Sequence, residues 1–76
     1  MVNTIKQINE TINQLEKARK ECINICNSID IYAINLGRVM NNQERERWVK
    51  CWEANTQILR AINELNDTKK AIAKIM

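Results

Sequence analysis

Apolar residues recur along most of the chain at alternating spacings of three and four. A first stripe is interrupted by Arg19 alone, and a second by Asn55 and Lys69. This spacing places one narrow face of each of two α-helices against a partner helix, knobs into holes. The first stripe is Ile5, Ile8, Ile12, Leu15, Arg19, Cys22, Cys26, Ile29, Ala33, Leu36 and Met40; the second is Trp48, Cys51, Asn55, Ile58, Ile62, Leu65, Lys69, Ile72 and Met76.

The segment between the stripes predicts a short turn. Asn41 or Asn42 can cap the second helix, and Glu44 places a negative charge at its N-terminus. Asn also adopts the left-handed conformation, so the same pair can close the first helix. Because so short a connection forces antiparallel neighbours, we predict an all-α, coiled-coil-like hairpin in a single domain, 1–76. Helix 1 is expected over about residues 3–40, the turn over about 41–43 and helix 2 over about 44–75.

A turn centred at residue 42 brings the two stripes into register. Nine layers then form: Leu36 with Trp48, Ala33 with Cys51, Ile29 with Asn55, Cys26 with Ile58, Cys22 with Ile62, Arg19 with Leu65, Leu15 with Lys69, Ile12 with Ile72, and Ile8 with Met76. An alternative keeps the hairpin but kinks or splits helix 1 at Asn27 and Ser28, because Asn27 with Asp30 resembles a capping pair. That alternative gives three helices.

Composition supports few, long helices. The 76 residues include one Gly, no Pro and no His, so the turn signals that a strand-rich fold needs are missing. The net charge of +3 comes from basic residues interleaved with acidic ones, which is typical of a solvated surface. No stretch approaches the ~20 apolar residues of a membrane span, and no signal peptide is evident. Three Cys, an odd number, indicate free thiols in a reducing cytoplasm.

Apolar positions extend beyond the two stripes and indicate self-association. An apolar arc wider than a two-helix seam implies packing against more than one helix. We therefore expect a homo-oligomer, by default a dimer that forms a four-helix bundle, in which some of these residues can instead contact a protein target. The expected interface residues are Ile25, Ile31, Tyr32, Ile34, Val39, Trp52 and Leu59.

The chain has few residues of the types that catalyse reactions or bind metals and cofactors. Without His, a phosphate-binding Gly-rich loop or a nucleophile beside a base, it is not expected to be an enzyme or to bind a cofactor. Cys22 and Cys26 face the same way but cannot complete a metal site in one chain, so no metal is expected. Cys51 is expected ~10 Å along the axis from Cys26, too far for a disulfide. A basic-aromatic cluster, Arg45, Arg47, Trp48 and Lys50, is a candidate contact for an anionic ligand.

The favoured function is therefore a self-associating helical binding or assembly module, an adaptor or inhibitor that acts by protein–protein contact. The alternative is a small helical oligomer that binds nucleic acid or sequesters a nucleotide. In architecture it resembles the dimeric hairpins that regulate plasmid copy number by binding RNA, with no shared motif. Arg47, Trp48 and Gln57 are similar to a segment of phage counter-defence proteins that sequester signalling nucleotides. The Asn-, Ile- and Lys-rich composition suits a phage or mobile-element protein.

Overall fold

The structure is a computed structural model that describes residues 2–75. Two α-helices, α1 (Val2–Asn35) and α2 (Asn42–Ile75), pack against each other as an antiparallel hairpin. The molecule is a rod of 57 × 14 × 13 Å, and residues 2–75 contain no strand. The predicted all-α hairpin is thus confirmed.

Helix α1 runs through Asn27 and Ser28 without interruption. The Ser28 hydroxyl donates a hydrogen bond to the backbone carbonyl of Asn24, one turn earlier, at 2.9 Å. Its polar group is therefore satisfied inside the helix and does not compete with the backbone for a cap. The three-helix alternative is wrong.

Helix α1 ends at Asn35, five residues before the predicted end, because Gly37 closes it. Gly37 has a φ of 66°, a left-handed conformation that costs glycine little. Its N–H donates to the carbonyl of Ile34 at 2.9 Å, and the N–H of Arg38 donates to the carbonyl of Ala33 at 3.2 Å. These two bonds form a Schellman motif. The prediction that the Asn pair closes helix 1 is wrong, since no other residue among 2–75 has a positive φ.

Helix α2 begins with a reciprocal capping box. The Asn41 Oδ1 accepts a hydrogen bond from the Glu44 N–H, and the Glu44 Oε1 accepts one from the Asn41 N–H, both at 2.9 Å. Two backbone donors that the helix start leaves unpaired are thereby satisfied. The predicted cap is confirmed at Asn41, and the helix begins at Asn42, two residues before the predicted boundary.

The core is a single seam between the helices. Every buried residue of the described chain belongs to one of the two stripes: Cys26, Ile29, Ala33, Asn55 and Ile62. The other described stripe positions are half-buried, except Leu36, which lies beyond the end of α1 and is exposed. Met76, the last position of the second stripe, lies outside the described residues. No described side chain is fully enclosed, so the core is thin.

The predicted register of the seam is wrong. Arg19 Nε donates a hydrogen bond to Asn55 Oδ1 at 3.1 Å, whereas the prediction placed Arg19 beside Leu65. The Cys26 thiol donates to the backbone carbonyl of Trp48 at 3.6 Å, whereas the prediction placed it beside Ile58. The turn lies within residues 36–41, and in both bonds the partner on α2 is ten residues closer to the turn than predicted.

The observed register also places Cys26 and Cys51 closer together along the axis than predicted. Cys26 contacts the backbone three residues before Cys51, so the predicted separation of these two thiols along the axis is wrong. Cys22, Cys26 and Cys51 are all free thiols.

Candidate functional site: the apolar surface beside the turn

Exposed apolar side chains are concentrated in the half of the rod that contains the turn. Ten large apolar side chains are exposed among the described residues, and nine of them lie between residues 25 and 59. The tenth, Ile75, lies at the opposite, open end of the hairpin. All seven predicted interface residues belong to the exposed set, which is Ile25, Ile31, Tyr32, Ile34, Leu36, Val39, Val49, Trp52, Leu59 and Ile75.

One flank of the hairpin carries an open groove of about 580 Å³, which we call the turn groove. Its apolar wall comes from α1 and its opposite wall from the turn and the start of α2. The turn groove is lined by Asn24, Ile25, Ser28, Ile29, Tyr32, Arg38, Asn41, Glu44 and Arg47. It therefore combines an aromatic ring and aliphatic side chains with two guanidinium groups.

The other flank is more apolar, and we call it the tryptophan face: Ile34, Val39, Trp52 and Leu59. Ile34 and Val39 line a second groove, of about 380 Å³, together with Arg45 of α2. Trp52 and Leu59 follow Arg45 at spacings of seven residues, which places them on the same side of α2. All four side chains are exposed, Val39 by 81%.

Two stacked indoles support the tryptophan face. The rings of Trp48 and Trp52 lie 5.8 Å apart between centroids with an interplanar angle of 8°. Trp48 is half-buried toward the seam, and its Nε1 is buried without a hydrogen-bond partner among the described residues. Trp52 covers it from outside and remains exposed. The pair is a broad, rigid aromatic surface of the kind that anchors interfaces.

Arg38 holds the turn in place between the two flanks. Its guanidinium forms a two-point ion pair with Glu44, at 2.6 Å and 3.4 Å, and bonds the carbonyl of Val39 at 3.0 Å. The same group lies 6.0 Å from the centre of the Tyr32 ring. The hydrogen bond to Glu44 raises the pKa of Arg38. Hydrogen bonds from Arg38 and then from the backbone of Asn41 lower the pKa of Glu44. Sequence reasoning missed Arg38 because no periodic pattern marks a residue in a turn.

The predicted anion-binding residues do not converge on one site. Arg47 lines the turn groove, whereas Arg45 lines the groove beside the tryptophan face. Trp48 is half-buried in the stack, and Lys50 is exposed and lines neither groove. Of the four residues, Arg47 alone lies beside an exposed aromatic ring in a groove, that of Tyr32.

The cysteines lie in the seam. Cys26 is buried, and desolvation raises the pKa of its thiol, with smaller contributions from Cys51, Asp30 and Cys22. A raised pKa keeps the thiol protonated and poorly nucleophilic. Within residues 2–75, no three His, Cys, Asp or Glu side chains are grouped so that they could bind a metal ion.

Comparison of the chain with protein-family models, with curated proteins and with solved structures gives no match. In the part of the chain that the structure describes, neither helix has an apolar stretch long enough to cross a bilayer.

Proposed function

We propose that this chain is a non-enzymatic, self-associating helical module that acts by protein–protein contact, as an adaptor or an inhibitor. The observation that carries the proposal is the concentration of exposed apolar side chains beside the turn. Among the described residues, nine such side chains lie on one half of a small rod, and the other half exposes one, Ile75. A concentration of exposed apolar side chains of this kind is typical of a contact site.

The energetics favour association. Fully burying one exposed Ile, Leu or Trp side chain contributes roughly 1.5–3 kcal/mol. The total stability of a small domain is on the order of 5 kcal/mol, and this hairpin has a thin core. Covering several of these side chains therefore adds an amount comparable to the stability of the isolated hairpin. Self-association then adds to the stability of a hairpin that is already folded, and the melting temperature rises with protein concentration.

The proposal is tested by the solution mass, measured by light scattering on a size-exclusion column over a tenfold range of concentration. We expect the wild type to form a dimer or a larger oligomer. Ile34→Glu should dissociate it, because a carboxylate then has to be desolvated in the interface. Ile75→Glu is the matched control, since both isoleucines are 73% exposed and lie near the C-terminus of a helix.

Two outcomes contradict the proposal. A wild type that is monomeric at every concentration contradicts self-association. Equal masses for Ile34→Glu and Ile75→Glu contradict the role of the turn half. The helical content of each variant, from circular dichroism, shows that the mass change reflects association rather than unfolding.

A second candidate function, binding of a nucleotide or nucleic acid, is favoured by the turn groove alone. Tyr32 can stack on a base, and Arg47, which has no ion pair with a described residue, can contact a phosphate. Such binding would weaken steeply with salt and with Arg47→Gln. Arg45→Gln is the control, because Arg45 lines the other groove. The three free thiols fit either function in a reducing cytoplasm.

A further inference from the structure

Building on the proposed self-association, we propose that two copies overlap over their turn halves alone. The tryptophan face of one copy packs against the tryptophan face of the other in an antiparallel, two-fold arrangement. The open ends of the two hairpins then project in opposite directions, and the four helices form a bundle in the overlap.

The length of the apolar patch sets the extent of the overlap. Leu59 lies 17 residues after the start of α2 at Asn42, which is about 26 Å along the axis at 1.5 Å per residue. The rod itself is 57 Å long. The tryptophan face therefore covers slightly less than half of the molecule, measured from the turn.

Beyond the patch, the same side of the hairpin has no large exposed apolar side chain among the described residues. On α1, Asn13 and Lys6 lie three and four heptads before Ile34, are exposed, and are about 33 Å and 44 Å from the end of the helix. On α2 the corresponding positions after Leu59 are Asn66 and Ala73. An overlap along the full length would also desolvate Lys6 of each copy, and burying an uncompensated charge is costly. Overlap restricted to the turn half leaves Lys6 in water, whereas Lys20, at the same spacing, lies within the overlap.

The apolar area of the tryptophan face is close to what contact with a second copy needs. A large aliphatic side chain offers on the order of 60–120 Å² of apolar surface, and an aromatic one about 150–250 Å². With their exposed fractions, the four side chains of the tryptophan face offer on the order of 300 Å² per copy. Apolar area makes up about 57% of a typical interface. Dividing the apolar area of both copies together by that fraction gives a total contact area that approaches the lower end of the roughly 1,200–2,000 Å² that stable complexes bury. A two-fold contact uses the same patch on both copies, so no other surface is needed.

The turn groove stays open in this arrangement. Ile25 of the groove and Ile34 of the tryptophan face are nine residues apart on α1, which at 100° per residue places them on opposite sides of the helix. The dimer therefore presents two turn grooves to solvent, one near each end of the overlap.

The arrangement is tested by small-angle X-ray scattering on the oligomer, combined with light scattering on two variants. Two 57 Å rods that share about 26 Å form a particle roughly 90 Å long, whereas full-length overlap gives roughly 60 Å. We expect the longer particle. We also expect Ile34→Glu to dissociate it and Ile25→Glu to leave it intact, since these isoleucines lie on opposite flanks. Leu59→Glu, on the other helix, repeats the test if Ile34→Glu loses helical content.

The outcomes separate this inference from the proposed function. A dimer roughly 60 Å long, or one dissociated by Ile25→Glu and not by Ile34→Glu, overturns the overlap while self-association stands. A monomer at all concentrations overturns both.

Discussion

The three polar residues that interrupt the stripes all take part in hydrogen bonds across the seam. Arg19 bonds Asn55, and Lys69 Nζ bonds Asn9 Oδ1 at 2.7 Å. The two bonds differ in burial, because Asn55 is 6% exposed whereas the Lys69 bond lies at the surface. A polar group at a seam position specifies register at some cost in stability. The Arg19–Asn55 bond is the one buried deeply enough to do so.

We expect Arg19→Met to lower the free energy of unfolding by about 1–3 kcal/mol, since it leaves the buried Asn55 oxygen without this donor. Asn55→Leu should cost less or stabilise, because the Arg19 side chain is 31% exposed and keeps its 3.6 Å ion pair with Glu16. Urea unfolding at one protein concentration measures both effects.

Lys69→Met is the matched control for this prediction. It removes the same kind of bond, from a basic side chain to an asparagine oxygen, at a solvent-exposed site. The expected loss in free energy of unfolding there is about 0.5 kcal/mol or less. Equal losses for Arg19→Met and Lys69→Met would contradict the assignment of register to the Arg19–Asn55 bond.

At the scale of the elements, the turn joins two separate capping systems through one side chain. Gly37 ends α1 and Asn41 begins α2, and the ion pair between Arg38 and Glu44 connects them. Glu44 contributes to both the capping box and the ion pair. The C-terminus of α1 thereby fixes where the N-terminus of α2 lies.

The lowered pKa of Glu44 makes the hairpin sensitive to acid. The carboxylate contributes its full stabilisation above the usual glutamate pKa of about 4.3, and this is lost as the pH falls through the lower folded-state pKa. We expect the melting temperature of the wild type to fall more between pH 5 and pH 3 than that of Glu44→Gln. Thermal unfolding monitored by circular dichroism measures this difference.

Glu46→Gln is the control, because it changes the net charge equally at an exposed position of the same helix. If Glu46→Gln flattens the pH dependence as much as Glu44→Gln does, net charge rather than the turn explains the acid sensitivity.

The elements could be predicted from the sequence, but their register could not. The stripes identify the seam correctly, since every buried residue of the described chain lies on them. A heptad repeat, however, allows many offsets between two helices, and Leu36 and Met40 continue the first stripe past the true end of α1. The signal that fixes the offset is Gly37, the single glycine of the chain.

Seven of the nine exposed apolar side chains beside the turn were predicted from spacing. Leu36, Val49 and the division of this surface into two faces were not. Seven-residue spacing identifies which residues of one helix share a side. It does not say which side of α1 meets which side of α2, because that depends on the register. Arg45 and Arg47 are neighbours in sequence, yet the fold directs them into different grooves.

The whole molecule is a rod with two unlike halves. Among the described residues, the half beside the turn exposes nine large apolar side chains, and the open half exposes mainly polar ones. No described side chain is fully enclosed in either half, so the isolated hairpin has a thin core. A contact at the turn half would cover apolar side chains that the hairpin leaves exposed.

The bonds that join the two helices also imply an order of folding. Their partners are separated by 6, 22, 36 and 60 residues for Arg38–Glu44, Cys26–Trp48, Arg19–Asn55 and Asn9–Lys69. Closing the longest loop first is entropically the most costly, and each shorter closure reduces the loop that remains for the next. We therefore expect the hairpin to zip from the turn toward its open end.

Pulse-labelling hydrogen exchange during refolding can follow this zipping. Amides of residues 26–35 and 42–51 should become protected before those of residues 3–12 and 66–75, and simultaneous protection would contradict the order. A rod held together by bonds of increasing loop length should likewise unfold from its open end, while the apolar half beside the turn is the last to separate.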